Sequence, residues 1–103
     1  MAKPKKPDYS EQHDRLGKLL LSARKSQKLK QRQVADKLGR QQTFVAKYEG
    51  GKRHLDVVEF VLVAKAIGVD PRRVIARLLK RWPDVPAESQ PPETEEPLRH
   101  DSA

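Results

Sequence analysis

Apolar residues recur every three or four positions through the middle of the chain, which is the spacing of one face of an α-helix. Five segments carry this spacing, and their approximate bounds are Glu11 to Gln27, Gln31 to Leu38, Gln41 to Gly50, Asp56 to Ile67, and Pro71 to Trp82. The pattern therefore predicts an all-α fold of five short helices joined by short turns.

Several residues indicate where these helices begin and end. Asp56 with Glu59 three positions later has the spacing of an N-terminal capping box. Gly39 and Gly68 follow apolar runs and can adopt the left-handed conformation that terminates a helix. Pro71, directly after Asp70, suits the first turn of the fifth helix.

The fourth segment has an alternative, because its β-branched residues also suit a strand. The three-to-four spacing and the stop at Gly68 favour a helix. Its expected inward face is Val57, Phe60, Val61, Ala64 and Ile67. The inward face expected for the fifth helix is Val74, Ile75, Leu78 and Leu79.

Composition separates the two ends of the chain from its middle. Residues 1–10 are rich in Lys and Pro, and residues 83–103 hold five of the eight prolines among polar and acidic residues. Such segments bury too little apolar area to offset their chain entropy. We therefore predict a flexible basic arm over 1–10, one domain over 11–82, and a disordered acidic tail over 83–103.

Charge is also divided between these parts. The 103-residue chain has a formal net charge of +8, but residues 83–103 hold six acidic side chains and one basic one. Residues 1–82 hold the remaining 21 basic and 8 acidic side chains. A body this basic suits neutralisation of nucleic-acid phosphates, although charge alone also fits a merely solvated surface.

Other classes of protein find little support in the sequence. Cysteine is absent, which excludes disulfides and thiolate metal sites and is compatible with a reducing cytoplasm. No apolar run approaches the roughly 20 residues of a membrane helix. The three histidines lie in separate segments without metal-ligand spacing, and no phosphate-binding glycine loop follows a strand. We therefore expect that the protein is not an enzyme and has no cofactor or membrane partner. We also expect it to be cytoplasmic.

The most informative segment is QRQVADKLGRQQTFVAKYEGGKR, residues 31–53. It has the pattern Q-x3-A-x3-G followed by V-x2-Y-E-x-G-K-R, and the chain continues to A-K-A-I-G-V-D-P. This pattern resembles the helix-turn-helix of the Cro/phage-repressor (XRE) family, over about Leu16 to Leu79. The resemblance implies a five-helix, lambda-repressor-like domain that binds double-stranded DNA.

The resemblance also implies which side chains contact DNA. The start of the third helix would lie in the major groove, where base pairs differ in their donors and acceptors. The base-contacting positions would be Gln41, Gln42, Thr43 and Lys47. Gln42 is the leading candidate for base recognition, because glutamine can pair with adenine through two hydrogen bonds.

A second set would hold the DNA backbone. Gln31, at the start of the second helix, would bind a phosphate and brace Gln42. The other expected backbone contacts are Arg40, Lys52 and Arg53. Arg40 departs from the apolar residue usual in the family, which leaves either a gap in the core or an added phosphate contact. Lys30 replaces the usual Ser or Thr cap.

Two features of the resemblance concern structure rather than DNA. Arg24 and Glu49 match a pair that forms a salt bridge in relatives. Phe44 stands where smaller residues are usual, and it has two interpretations: packing against the second helix or contact with a thymine methyl group.

The resemblance implies a homodimer formed through the fifth helix, for which Arg77, Leu78, Arg81 and Trp82 are the candidate surface. Trp82 has the alternative role of covering the core. The function implied is that of a transcriptional regulator, acting as a repressor, in a bacterial or phage setting. The alternative is an antitoxin, whose acidic tail would bind a toxin partner.

Overall fold

The computed structural model describes residues 9–82, so the predicted arm and acidic tail lie outside the described residues except at Tyr9 and Ser10. The described chain contains five α-helices: α1 (Ser10–Ser26), α2 (Gln31–Leu38), α3 (Gln42–Glu49), α4 (Val57–Ile67) and α5 (Pro71–Leu79). The predicted all-α, five-helix fold is confirmed. The segment that also suited a strand is a helix.

The helix ends follow the local chemistry of the sequence. Asp56 caps α4, because its Oδ1 accepts from the Glu59 backbone N at 2.7 Å and the Glu59 side chain accepts from the Asp56 N at 3.1 Å. Gly39 ends α2 with φ 66°, a left-handed conformation that costs glycine little. Lys30 provides no side-chain cap for α2, but Gln33 Oε1 accepts from its backbone N at 2.8 Å.

One core lies between the helices. Its largest fully buried apolar side chains are those of Leu20, Val34, Val45, Tyr48 and Val63. Phe44, Phe60, Ile67 and Val74 complete the packing around them. Every helix therefore contributes to one core, which fixes α2 and α3 relative to the rest of the domain.

The expected inward faces of α4 and α5 are wrong in part. Val57 is 77% exposed, whereas Val63, which the prediction omitted, is 1% exposed. Ile75 and Leu79 on α5 are 39% and 57% exposed. Only one arc of each helix meets the core. In α4 that arc passes through Phe60 and Val63, and Val57 in the first turn lies beyond it.

A close approach of α1 to α3 positions the helix-turn-helix. Gly17 lies against the end of α3, and a Cβ atom placed on it would be 2.2 Å from the carbonyl oxygen of Tyr48. Real Cβ atoms do not come this near to backbone oxygen, so glycine is required for this packing. The absence of a side chain at residue 17 thus sets the α1–α3 distance.

The two ends of the domain meet where α5 finishes. Arg15 on α1 donates to the carbonyl oxygens of Leu78 and Arg77, at 3.0 and 3.2 Å. The Leu78 carbonyl oxygen would otherwise lack a partner within the helix, whereas that of Arg77 also accepts from the Lys80 backbone N at 3.3 Å. Trp82 stacks on Tyr9 with 6.0 Å between ring centroids, and it remains 39% exposed. Trp82 therefore packs on Tyr9, the residue that precedes α1, and not over the core.

Candidate nucleic-acid interface

The helix α3 is divided into a buried side and an exposed side. Its buried residues are Phe44, Val45, Tyr48 and Glu49. The four predicted base-contacting residues, Gln41, Gln42, Thr43 and Lys47, are all exposed. Gln41 is the N-cap residue with extended backbone, so α3 begins one position later than predicted. The four side chains lie at the start and along the outer side of one rigidly held helix.

A buried ion pair ties α1 to the end of α3. Arg24 donates to both carboxylate oxygens of Glu49, at 2.7 Å from Nε and 3.1 Å from Nη2. The side chains are 10% and 4% exposed, and the Arg24 Nη1 also donates to the Leu29 carbonyl oxygen at 2.8 Å. This pair, named from the family resemblance, is thus a bidentate and well-satisfied contact in the structure.

The same carboxylate begins a chain of hydrogen bonds that reaches the surface. Glu49 Oε1 accepts from Gln31 Nε2 at 2.9 Å, and Gln31 Oε1 in turn accepts from Gln42 Nε2 at 3.2 Å. Gln31 is therefore engaged on both sides of its amide. These hydrogen bonds restrict the rotamers of the Gln42 side chain before any ligand is present. The restriction reduces the entropy that this side chain loses when it binds a ligand.

A second charged group lies where α3 faces α4, and we call it the arginine cluster: Arg40, Arg53, Phe44 and Glu59. Glu59 Oε2 lies 2.5 Å from Arg53 and 3.6 Å from Arg40. Both guanidinium groups lie over the Phe44 ring, 4.7 and 5.1 Å from its centroid. The Arg40 guanidinium covers the Phe44 ring, and a small cavity of about 30 Å³ remains between Arg40, Phe44 and Leu38.

The structure decides between the two interpretations of Phe44. Its side chain is 9% exposed and meets the Tyr48 ring edge-on at 5.5 Å. Phe44 is a core residue, which favours packing over contact with a thymine methyl group. Glu59 was identified from sequence only as part of a helix cap; its role in the arginine cluster had no signal in the local pattern.

Burial changes the titration of two further groups. The pKa of Tyr48 is raised, first by burial and then by the neighbouring Glu49 charge. Its hydroxyl oxygen has no hydrogen-bond partner within residues 9–82. His13 stacks on His54 with 3.6 Å between ring centroids, and its pKa is lowered, mainly by burial and also by the His54 charge.

Among the described residues, no group of three or more His, Asp or Glu side chains has the geometry of a metal site.

Comparison with known proteins decides the family. A family model described as Helix-turn-helix (HTH_3) matches residues 20–74, which is more than half of the chain. The chain belongs to the XRE, or Cro/C1-type, helix-turn-helix family. Its family and fold are those of DNA-binding transcriptional regulators, not of enzymes. No curated protein matches the chain at the level of sequence.

Solved structures agree with this assignment. An XRE-family like protein from Pseudomonas syringae pv. tomato is 37% identical with TM-score 0.67, and the match covers 73% of this chain and 92% of that one. The restriction-modification controller protein C.AhdI from Aeromonas hydrophila is 25% identical with TM-score 0.62, covering 66% and 99%. The clp gene regulator ClgR from C. glutamicum, at 19% identity and TM-score 0.64 over 73% and 94%, shares the fold.

Proposed function

We propose that the chain is a sequence-specific repressor that binds operator DNA as a homodimer with α3 in the major groove. The observation that carries the proposal is the hydrogen-bond chain from buried Glu49 through Gln31 to exposed Gln42. A side chain fixed in this way at the start of α3 is suited to discriminate between bases. An unrestrained surface glutamine would lose more entropy on binding.

Gln42 is proposed as the main base-reading residue, with Gln41, Thr43 and Lys47 beside it. Its Nε2 already donates to Gln31, so its Oε1 and its second N–H remain to pair with a base. One acceptor and one donor are what adenine N6 and N7 require. The orientation imposed by Gln31 therefore favours an A·T pair at this position.

The proposed backbone contacts surround α3. Lys52 is exposed directly after the helix, and its backbone N donates to the Lys47 carbonyl oxygen at 2.8 Å, which holds the turn in place. Gln31, Arg40 and Arg53 are already engaged with protein groups, so their remaining N–H groups would meet phosphate. These contacts set the register of the protein on the duplex but carry no sequence information.

The homodimer is proposed to form through an apolar groove between α4 and α5. Leu78, which the resemblance suggested for a dimer surface on α5, is 7% exposed and belongs to the core. The exposed apolar residues Val57 and Ile75 instead lie on a groove of about 460 Å³. None of helices α1 to α5 is long and apolar enough to cross a membrane. We propose that a second copy of the chain covers this groove, and that the protein acts in the bacterial cytoplasm.

The dimer surface can be tested by sedimentation with and without DNA. Val57→Glu places a charge in the groove, and its position in the first turn of α4 is favourable for an acidic residue. Val58→Glu is the matched control, because Val58 is 69% exposed but does not line the groove. We expect only Val57→Glu to weaken dimerisation. Equal behaviour of the two variants would exclude this surface.

The decisive test of the function is selection of bound duplexes from a random library at physiological salt. We expect an enriched two-fold symmetric motif with half-sites about ten base pairs apart. Gln42→Ala should cost about 1–3 kcal/mol in operator binding and relax the preference at one base pair. Lys52→Ala should weaken all duplexes alike and reduce the salt slope by about one.

Two results would contradict the proposal. Salt-sensitive binding without an enriched motif would mean that the basic surface binds DNA without reading it. An unchanged motif for Gln42→Ala would mean that α3 docks in another register. Co-purification of a toxin with the full chain would instead support the antitoxin alternative.

A further inference from the structure

Glu59 is the central contact of the arginine cluster. One carboxylate oxygen, Oε2, lies 2.5 Å from Arg53 and 3.6 Å from Arg40. The other, Oε1, accepts from the Asp56 backbone N at 3.1 Å, and the Asp56 side chain caps the Glu59 N–H in return. The carboxylate is therefore anchored to the start of α4, and its side chain is only 16% exposed.

The two arginines remain accessible although they are held. Their side chains are 50% exposed at Arg40 and 39% exposed at Arg53. Stacking on Phe44 and pairing with Glu59 restrict rotamers that a free arginine would have to give up on binding. A guanidinium has five N–H donors, so a group held by one carboxylate still presents donors to a second anion.

The location of the cluster relates it to the proposed DNA surface. Arg40 lies in the turn immediately before α3, Arg53 lies just after α3, and Phe44 is in the first turn of α3. The arginines therefore come from both ends of this helix and converge on its α4-facing flank. If α3 enters the major groove of DNA, a phosphate group at the edge of that groove would lie near both arginines.

We propose that Glu59 is a positioning residue for DNA binding: it holds Arg40 and Arg53 as a prearranged pair of phosphate-binding groups. The inference rests on the proposed function. The inference predicts that removing an acidic side chain beside DNA weakens DNA binding, which is the opposite of what charge repulsion alone predicts. The charge of Glu59 alone opposes DNA binding, whereas its positioning of the arginines favours binding, so removal of the charge separates the two effects.

The test variant is Glu59→Gln. Glutamine can still accept from the Asp56 N–H in a capping box, so the start of α4 is preserved while the charge is removed. The matched control is Asp36→Asn, because Asp36 is exposed on α2 and forms no ion pair within residues 9–82. Both variants raise the net charge by one. Thermal denaturation of each verifies that the domain is folded.

The measurement is the affinity of the full chain for its selected operator and for an unrelated duplex, by fluorescence anisotropy across a salt series. Asp36→Asn should tighten binding by about twofold through charge alone. Glu59→Gln should weaken binding to both duplexes by about five- to tenfold, although it adds the same positive charge. If Glu59→Gln binds as tightly as Asp36→Asn, the inference is wrong.

A second variant guards against an indirect effect on the fold. Arg53→Lys keeps the charge but loses the planar fork that pairs with Glu59 and stacks on Phe44. In that background, Glu59→Gln should have less than half of its effect in the wild-type background. An undiminished effect would show that Glu59 does not act through Arg53, and would overturn the inference that it holds the two arginines as a pair.

The inference and the proposed function fail differently. If the wild-type chain binds no duplex in a salt-dependent manner, both are wrong. If the wild-type chain binds and selects an operator while Glu59→Gln behaves like the control, only the role of Glu59 is wrong.

Discussion

Glu49 and Glu59 each hold arginine beside α3, and they differ mainly in how far the arginine is buried. Arg24, the partner of Glu49, is 10% exposed, whereas Arg53 and Arg40, the partners of Glu59, are 39% and 50% exposed. The same pairing of glutamate with arginine can therefore serve two different roles, depending on burial. A buried partner can only join helices, while an exposed partner retains donors for a second anion.

The cost of breaking each pair should follow the same difference. Removing one member of a buried pair leaves the other charged and without water, which is strongly unfavourable. An arginine at the surface is solvated when its partner is removed, so stability changes little. The predictions below test this comparison, beginning with the largest expected effect.

Glu49→Ala should be the most damaging of these changes. It strands the Arg24 guanidinium inside the domain and should lower the free energy of unfolding by about 3–5 kcal/mol. Urea denaturation followed by circular dichroism measures this difference, with Glu59→Gln as the comparison. A loss below about 1 kcal/mol would show that water reaches Arg24 and would remove the distinction between the two glutamates.

Gly17→Ala should disturb the Glu49 side of α3 without touching a charge. The added Cβ would meet the Tyr48 carbonyl oxygen at 2.2 Å, so α1 and α3 must separate. We expect a loss of about 1–3 kcal/mol in the free energy of unfolding. The same measurement on Gly50→Ala is a control, since a Cβ there would meet its nearest atom, the Ala46 carbonyl oxygen, at 3.2 Å. Equal losses would mean that the α1–α3 distance is not tightly fixed.

The exposed ion pair of Asp70 with Arg72 should give the smallest effect. The side chains are 34% and 90% exposed, and hydrogen bonds from Arg72 lower the pKa of Asp70. A lowered carboxyl pKa means that the contribution to stability is present above the unfolded pKa and is lost as the pH falls through the folded one.

Asp70→Asn should therefore lower the melting temperature slightly at pH 7, with a difference that shrinks as the pH falls below about 4. Thermal denaturation of wild type and variant at pH 7 and pH 3 measures it. A difference that grows in acid would contradict the assigned direction of the pKa shift.

Much of the fold was predictable from local pattern. The bounds of α2, Gln31–Leu38, agree with the prediction, because Gly39 gives an unambiguous stop. The prediction for α3 extended one residue too far at each end. Gln41 has extended φ and ψ of −76° and 154°, and Gly50 is the C-cap, so both adjoin the helix without being part of it.

The faces of α4 and α5 were less predictable than their existence. Apolar spacing cannot rank Val57 against Val63, since both fit a helical stripe on a helix with many apolar residues. Packing assigns Val63 to the core and leaves Val57 on the outer groove. Leu78 was expected on the inward face of α5 from its spacing and on a dimer surface from the resemblance, and its burial agrees with the first of these expectations.

The sequence by itself determined the helices, their caps, the basic body and the helix-turn-helix motif. These properties depend on neighbours within a few positions or on composition. The resemblance already implied the pair of Arg24 and Glu49, but only the tertiary structure decided the pairing of Glu59, which meets residues from the turns on both sides of α3. Such contacts depend on how the helices cross, because the crossing sets which side chains are buried together.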